Sequence, residues 1–136
     1  MKKSIILLFA CIVAAVAVAQ QLAKVSSALA SVHTAPAFSW SETTFDFGKT
    51  KAGEPVTHKF TFTNAGSEAL LITSVVPSCG CTVADYSKDP IPANGSGYIK
   101  ATYNAAKPGV FSKTVTVHAN TSEATVLLTI KGEVAE

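Results

Sequence analysis

The sequence predicts an all-β sandwich, and three observations carry that prediction. From Phe38 onward, Thr, Val, Phe and Ile alternate with polar residues at the two-residue period of half-buried strands. The runs number about seven in roughly a hundred residues, with Gly, Pro, Asn and Ser marking turns about every 8–12 positions. Helix-forming stretches are absent from this region, which excludes α/β architectures built on a parallel sheet. Together these describe an immunoglobulin-like β-sandwich of about seven antiparallel strands.

Each strand has its own justification. Thr43 to Phe47 places Phe45 and Phe47 on one face. Val56 to Thr63 puts Val56, His58, Phe60 and Phe62 on one side and Thr57, Lys59, Thr61 and Thr63 on the other. Asn64-Ala65-Gly66-Ser67 reads as a turn. Leu70 to Val76 is apolar enough throughout to be expected in the middle of a sheet. Thr82 to Tyr86 is a short fourth strand, followed by a loop containing Pro90 and Pro92. The turn Ala93-Asn94-Gly95-Ser96 leads into Gly97 to Tyr103. After Lys107-Pro108-Gly109, the strand Phe111 to Ala119 turns Phe111, Val115, Val117 and Ala119 inward and Thr114, Thr116 and His118 outward. Asn120 to Glu123 reverses the chain, and Ala124 to Val134 closes it with Val126, Leu128 and Ile130 on one face. Phe38 and Trp40, ahead of the first strand, are expected to cover the sandwich edge; an exposed aromatic contact site is the alternative.

The segment before the sandwich is of another kind. Met1-Lys2-Lys3 is basic, Ile5 to Ala19 carries no charge over fifteen residues, and Ala17-Val18-Ala19 has the small-x-small pattern of a signal-peptidase site. The run falls short of the ~20 residues that span a bilayer. Residues 1–19 are therefore read as an export signal, with Gln20 as the new N-terminus; an uncleaved anchor is the alternative. Cys11 is expected to leave with the signal rather than to receive lipid. Residues 20–37 are Ala- and Ser-rich with a closing Pro36 and read as a tether, in which a short helix over 22–32 would fit the spacing of Leu22, Val25 and Leu29. The domain proper is expected over 38–136.

Composition narrows function more than it defines it. The 136 residues are 48% hydrophobic and 15% charged, and every one of the 11 basic residues is lysine. Removing the export signal takes Lys2 and Lys3, leaving nine lysines against nine acids and a net charge of zero. No basic patch for nucleic acid is implied, and no guanidinium is present for bidentate recognition of phosphate or carboxylate.

Several segments resemble one family. These are Glu42-Thr43-Thr44-Phe45-Asp46-Phe47-Gly48, the run from Val56 to Gly66, Pro77-Ser78-Cys79-Gly80-Cys81-Thr82, Phe111 to Val117, and the ending Leu127 to Val134. They are similar to the hallmark stretches of exported bacterial proteins named only as domain of unknown function 1573 (DUF1573). The resemblance covers about residues 40 to 134. It implies an immunoglobulin-like sandwich related in architecture to sperm-protein and pilus-chaperone folds, and almost nothing about activity.

One constellation could carry chemistry, Cys79-Gly80-Cys81. In an exported protein the two thiols meet an oxidising compartment. A disulfide across one residue is one reading, with Gly80 adopting a positive φ to bring the α-carbons together. It would close almost no loop and would be easily reduced, so it could serve redox chemistry. A soft-metal site is the second reading, in which Cys79 and Cys81 join His58 or His118 around copper or zinc. The third is two small buried side chains at the end of a central strand, and this structural use is the leading expectation.

The remaining residues suggest less. His58 is expected to pack with Phe60 and Phe62, and His118 to be solvated. Asp85 and Asp89 lack the spacing of a calcium loop. No Ser, His and Asp are placed as a nucleophile with its base. The expectation is an exported, non-enzymatic module without a cofactor that binds another protein or an envelope polymer, with no nucleic acid and no membrane span. A redox or copper/zinc site at Cys79 and Cys81 is the alternative.

Overall fold

The computed structural model describes residues 33–123 and 125–136. The export signal over 1–19, Cys11, the tether from 20 to 32 with its short helix, and Ala124 lie outside the described residues. Eight strands are formed: β1 Phe38–Trp40, β2 Thr44–Lys51, β3 Val56–Asn64, β4 Ile72–Pro77, β5 Thr82–Tyr86, β6 Ser96–Tyr103, β7 Gly109–Ala119 and β8 Val126–Ala135. They make two four-stranded sheets, in the orders β1-β3-β6-β5 and β2-β8-β7-β4.

The inward faces follow from the alternation. On the first sheet Phe60 pairs with Ile99 and Phe62 with Gly97. On the second, Val115 pairs with Leu128 and Val117 with Val126. Phe60, Ile99, Val117 and Leu128 are wholly buried, and Phe62, Val115 and Ile130 nearly so. Each such side chain contributes about 1.5–3 kcal/mol relative to exposure. Leu70 and Ile91 form an isolated bridge that closes one side of the core between the sheets.

Four features depart from the sequence-based expectation. The strands number eight, because Phe38 and Trp40 do not merely cover an edge but form β1, paired antiparallel with β3. The sandwich is not uniformly antiparallel, since β2 runs parallel to β8. That pairing is interrupted between Asp46 and Lys49, where Gly48 takes φ 64° and its N–H is held by Asp46 Oδ1 at 2.8 Å.

The apolar run expected in the middle of a sheet is instead an edge strand, β4, bonded only to β7. Its apolar continuity comes from facing two ways: Leu70 and Ile72 enter the core, while Leu71 and Val76 face solvent. Finally, the last residues assigned to the tether are docked on the domain. Thr34 O accepts from Ser67 N (3.1 Å), Ala37 O accepts from Ala65 N (2.9 Å), and Pro36 is buried.

Candidate functional site

The chain crosses from one sheet to the other between β4 and β5, and Cys79-Gly80-Cys81 makes that crossing. On the entry side Ser78 N donates to Thr114 O (2.8 Å), and Ser78 Oγ accepts from Thr114 N (3.1 Å). On the exit side Cys81 O accepts from Asn104 N (3.0 Å), and Thr82 pairs with Tyr103. Thr82 N also donates back to Cys79 O at 3.3 Å, closing a tight turn.

Within that turn Cys79 and Cys81 are joined by a disulfide, with α-carbons 5.3 Å apart. That spacing falls within the usual bridging range. Both cysteines are half-buried rather than buried, and Gly80 is exposed. The expected role of Gly80 is corrected here. The glycines with positive φ are Gly48, Gly53 and Gly109, so the turn closes without Gly80 entering the left-handed region. Apart from its two chain neighbours, a Cβ built on Gly80 would also meet nothing within 4 Å.

The two sulfurs have different surroundings. Cys81 packs against the core cluster, where Cys79 does not. Cys79 Sγ lies 3.7 Å from Thr82 Oγ1, and Thr82 is only 2% exposed. Among the described residues this sulfur is the sole hydrogen-bond partner of that hydroxyl. Sequence reasoning passed over Thr82, because a threonine at a strand start is unremarkable until the turn folds it back onto Cys79.

The histidines considered as metal ligands are elsewhere. His58 lies on β3 with its ring stacked on Phe45 (3.6 Å between centroids) and edge-on to Phe60 (4.7 Å). Its Nε2–H donates to the Glu42 carboxylate at 2.8 Å. His118 pairs with Ser74 on β4, four residues along β7 from the Thr114 that holds Ser78. At about 3.3 Å per strand residue, that separation is roughly 13 Å. Among the described residues no three His, Cys, Asp or Glu side chains gather as metal ligands would.

Asp85 faces Lys100 Nζ at 3.6 Å on the outer surface. Trp40 stacks with Phe38 and lies tilted against Phe62, each 4.9 Å away between centroids, and its buried Nε1 has no partner among the described residues. A second polar centre was missed in the sequence. Asn64, read as a turn residue, is wholly buried and bonds four backbone groups around one end of the sandwich.

Among the described residues no helix is long and apolar enough to cross a membrane. No curated protein matches the sequence. Solved structures share the fold at low identity. A protein of unknown function from Porphyromonas gingivalis superposes with TM-score 0.67 at 17% identity, covering 78% of this chain. The present chain spans half the length of that protein. The ASH / PapD-like domain of human CEP192 gives TM-score 0.56 at 12% identity, covering 76% of this chain and 87% of that domain. The Vibrio cholerae VesB protease gives 0.59 at 16%, covering 71% of this chain and 31% of the protease. At these identities the likeness is one of fold. The model of one sequence family matches residues 38–134, and the chain therefore belongs to that family, described as protein of unknown function (DUF1573).

Proposed function

We propose that this is an exported, non-enzymatic binding module that takes up an extended, uncharged peptide segment of another exported protein along the free edge of β4. The observation that supports this reading is a difference among the four sheet edges. β1 has only three residues. β2 is bulged at Gly48 and carries Asp46, Lys49 and Lys51. β5 is five residues long and carries Asp85. These are the usual devices that stop an edge from pairing with another chain.

β4, Ile72–Pro77, carries no charge; its register shift is confined to Ile72–Ser74 and its proline to the last position, so Val75 and Val76 pair regularly with β7. Ser78 bonds toward β7, and antiparallel alternation then turns the N–H and C=O of Val75 and the C=O of Pro77 toward the open side. Beside that edge, Val76 is 51% exposed and lies in one row with Thr116 and Leu127, itself 56% exposed. An added strand would gain backbone hydrogen bonds from Val75 and apolar contact from that row. The uncharged edge and the zero mature charge favour a peptide without charges of its own.

The test compares purified mature protein with Val76→Lys in capture from envelope proteins. Capture should be lost in Val76→Lys and kept in Val83→Lys on β5, and the Val75 amide should be protected from exchange in the complex. Equal loss in both variants, or an unprotected Val75 amide, would overturn the edge reading. Export is tested separately by N-terminal sequencing of the mature protein, expected to begin at Gln20; a chain beginning at Met1 would contradict it.

A further inference from the structure

We infer that the Cys79–Cys81 disulfide is a thiol–disulfide exchange site for a partner protein's dithiol or disulfide, with Cys79 forming the mixed disulfide and Cys81 serving as leaving group and, in the reverse direction, as resolving thiol. This goes beyond the binding role of β4 and stands or falls independently of it.

The first ground is that the bond has little to hold. It spans a single intervening residue, so it restricts the unfolded chain very little. The strands on either side are already fixed, β4 by Ser78 on Thr114 and β5 by Thr82 on Tyr103 and Cys81 on Asn104. The second ground is access. Gly80 is exposed, needs no left-handed conformation and has empty space where a side chain would be. Neither the turn nor packing against the rest of the domain calls for glycine, and this exposed residue sits between two half-buried cysteines.

The third ground is the asymmetry of the two sulfurs. Cys81 packs against the core, which shields it, while Cys79 does not. Cys79 faces the buried Thr82 hydroxyl at 3.7 Å, and that hydroxyl has no other partner among the described residues. An O–H aimed at sulfur stabilises a thiolate more than a thiol, and so favours Cys79 as the ionised sulfur of the reduced form. The sulfur outside the core cluster and the hydroxyl-supported sulfur are the same residue.

The exchange then balances as follows. A thiolate of the partner dithiol attacks Cys79 Sγ, the Cys79–Cys81 bond breaks, and its electron pair leaves on Cys81 Sγ, which takes up a proton. The partner's second thiol loses its proton and attacks the partner sulfur bound to Cys79. Cys79 departs as a thiolate held by Thr82. Two electrons and one proton have passed from the partner's thiolate–thiol pair, which becomes a disulfide, to the Cys79 thiolate and the Cys81 thiol. In the reverse direction Cys79 attacks a partner disulfide and Cys81 resolves the adduct.

The test uses the full mature chain with glutathione as the probe. Wild type is equilibrated anaerobically at a series of reduced-to-oxidised glutathione ratios, alkylated, and read by intact mass. The reduced fraction should follow the ratio while the fold, read by far-ultraviolet circular dichroism, is kept. A chain that stays oxidised at every ratio unless denatured would overturn the proposal, and this arm needs no variant. Cys81→Ser and Cys79→Ser are then compared for adduct formation with oxidised glutathione, where Cys81→Ser should react at least about tenfold faster. Equal or reversed rates would overturn the assignment of Cys79. Adding Thr82→Val to Cys81→Ser should raise the pH midpoint of Cys79 alkylation by about half a unit or more. An unmoved midpoint would remove Thr82 from the site.

Discussion

Replacing Asn64 by alanine removes a side chain that is wholly buried and fully engaged. Oδ1 accepts from Gly66 N (3.0 Å) and Ala37 N (3.3 Å), while Nδ2 donates to Glu68 O (2.7 Å) and Ile91 O (3.0 Å). The bond to Gly66 is buried, so its N–H would be left without a partner, at about 1–2 kcal/mol, whereas Ile91 O keeps its bond from Leu70 N (2.8 Å) and that loss is about 0.5–1 kcal/mol. The bonds to Ala37 and Glu68 are half-buried, and their partners recover solvent at about 0.5 kcal/mol each. The expected loss is about 2.5–4 kcal/mol, a large share of the roughly 5–15 kcal/mol that holds a domain of this size. Urea unfolding monitored by Trp40 fluorescence measures it directly. At about 4–8 °C per kcal/mol, the melting temperature should fall by at least about 10 °C. Asn104→Ala is the control, because its exposed side chain only accepts from Ala106 N at 3.3 Å, and it should cost no more than about 0.5 kcal/mol. A loss below about 1 kcal/mol for Asn64→Ala would refute the reasoning, since water or backbone would then be replacing all four bonds.

Three further outcomes are expected. Gly66→Ala would drive a Cβ into the backbone of Ala35 and Pro36, displacing the docked N-terminal segment at about 1–3 kcal/mol and unprotecting the Ala65 and Ser67 amides in hydrogen exchange. His58→Phe keeps the stack on Phe45 and loses only the half-exposed Glu42 contact, so it should cost less than about 1 kcal/mol; His58→Ala should cost about 2 kcal/mol by chemical denaturation. Replacing both Cys79 and Cys81 by serine should cost no more than about 1.5 kcal/mol, because the loop they close is so short; a loss above about 3 kcal/mol would make the bond structural.

Sequence alone determined which residues face which way. The period-two pattern is written locally, so Phe60, Phe62, Val115, Val117, Leu128 and Ile130 could be placed on the inward faces and Thr57, Lys59 and Thr61 on the opposite one. The membership of the family was equally legible, because its hallmark stretches run the length of the domain. Alternation does not say which strand lies beside which, for pairing joins residues far apart in the chain. The parallel union of β2 with β8 and the edge position of β4 were therefore decided only by tertiary structure. β1 is too short for a period to show, and it is held where the stacked rings of Phe38 and Trp40 pack against Phe62, edge-on and tilted respectively. The site divides in the same way. Cys79-Gly80-Cys81 is conspicuous in the sequence, but the inequality of its sulfurs is not. That inequality arises only where the crossing between sheets sets Cys81 against the core and leaves Cys79 beside the hydroxyl of Thr82.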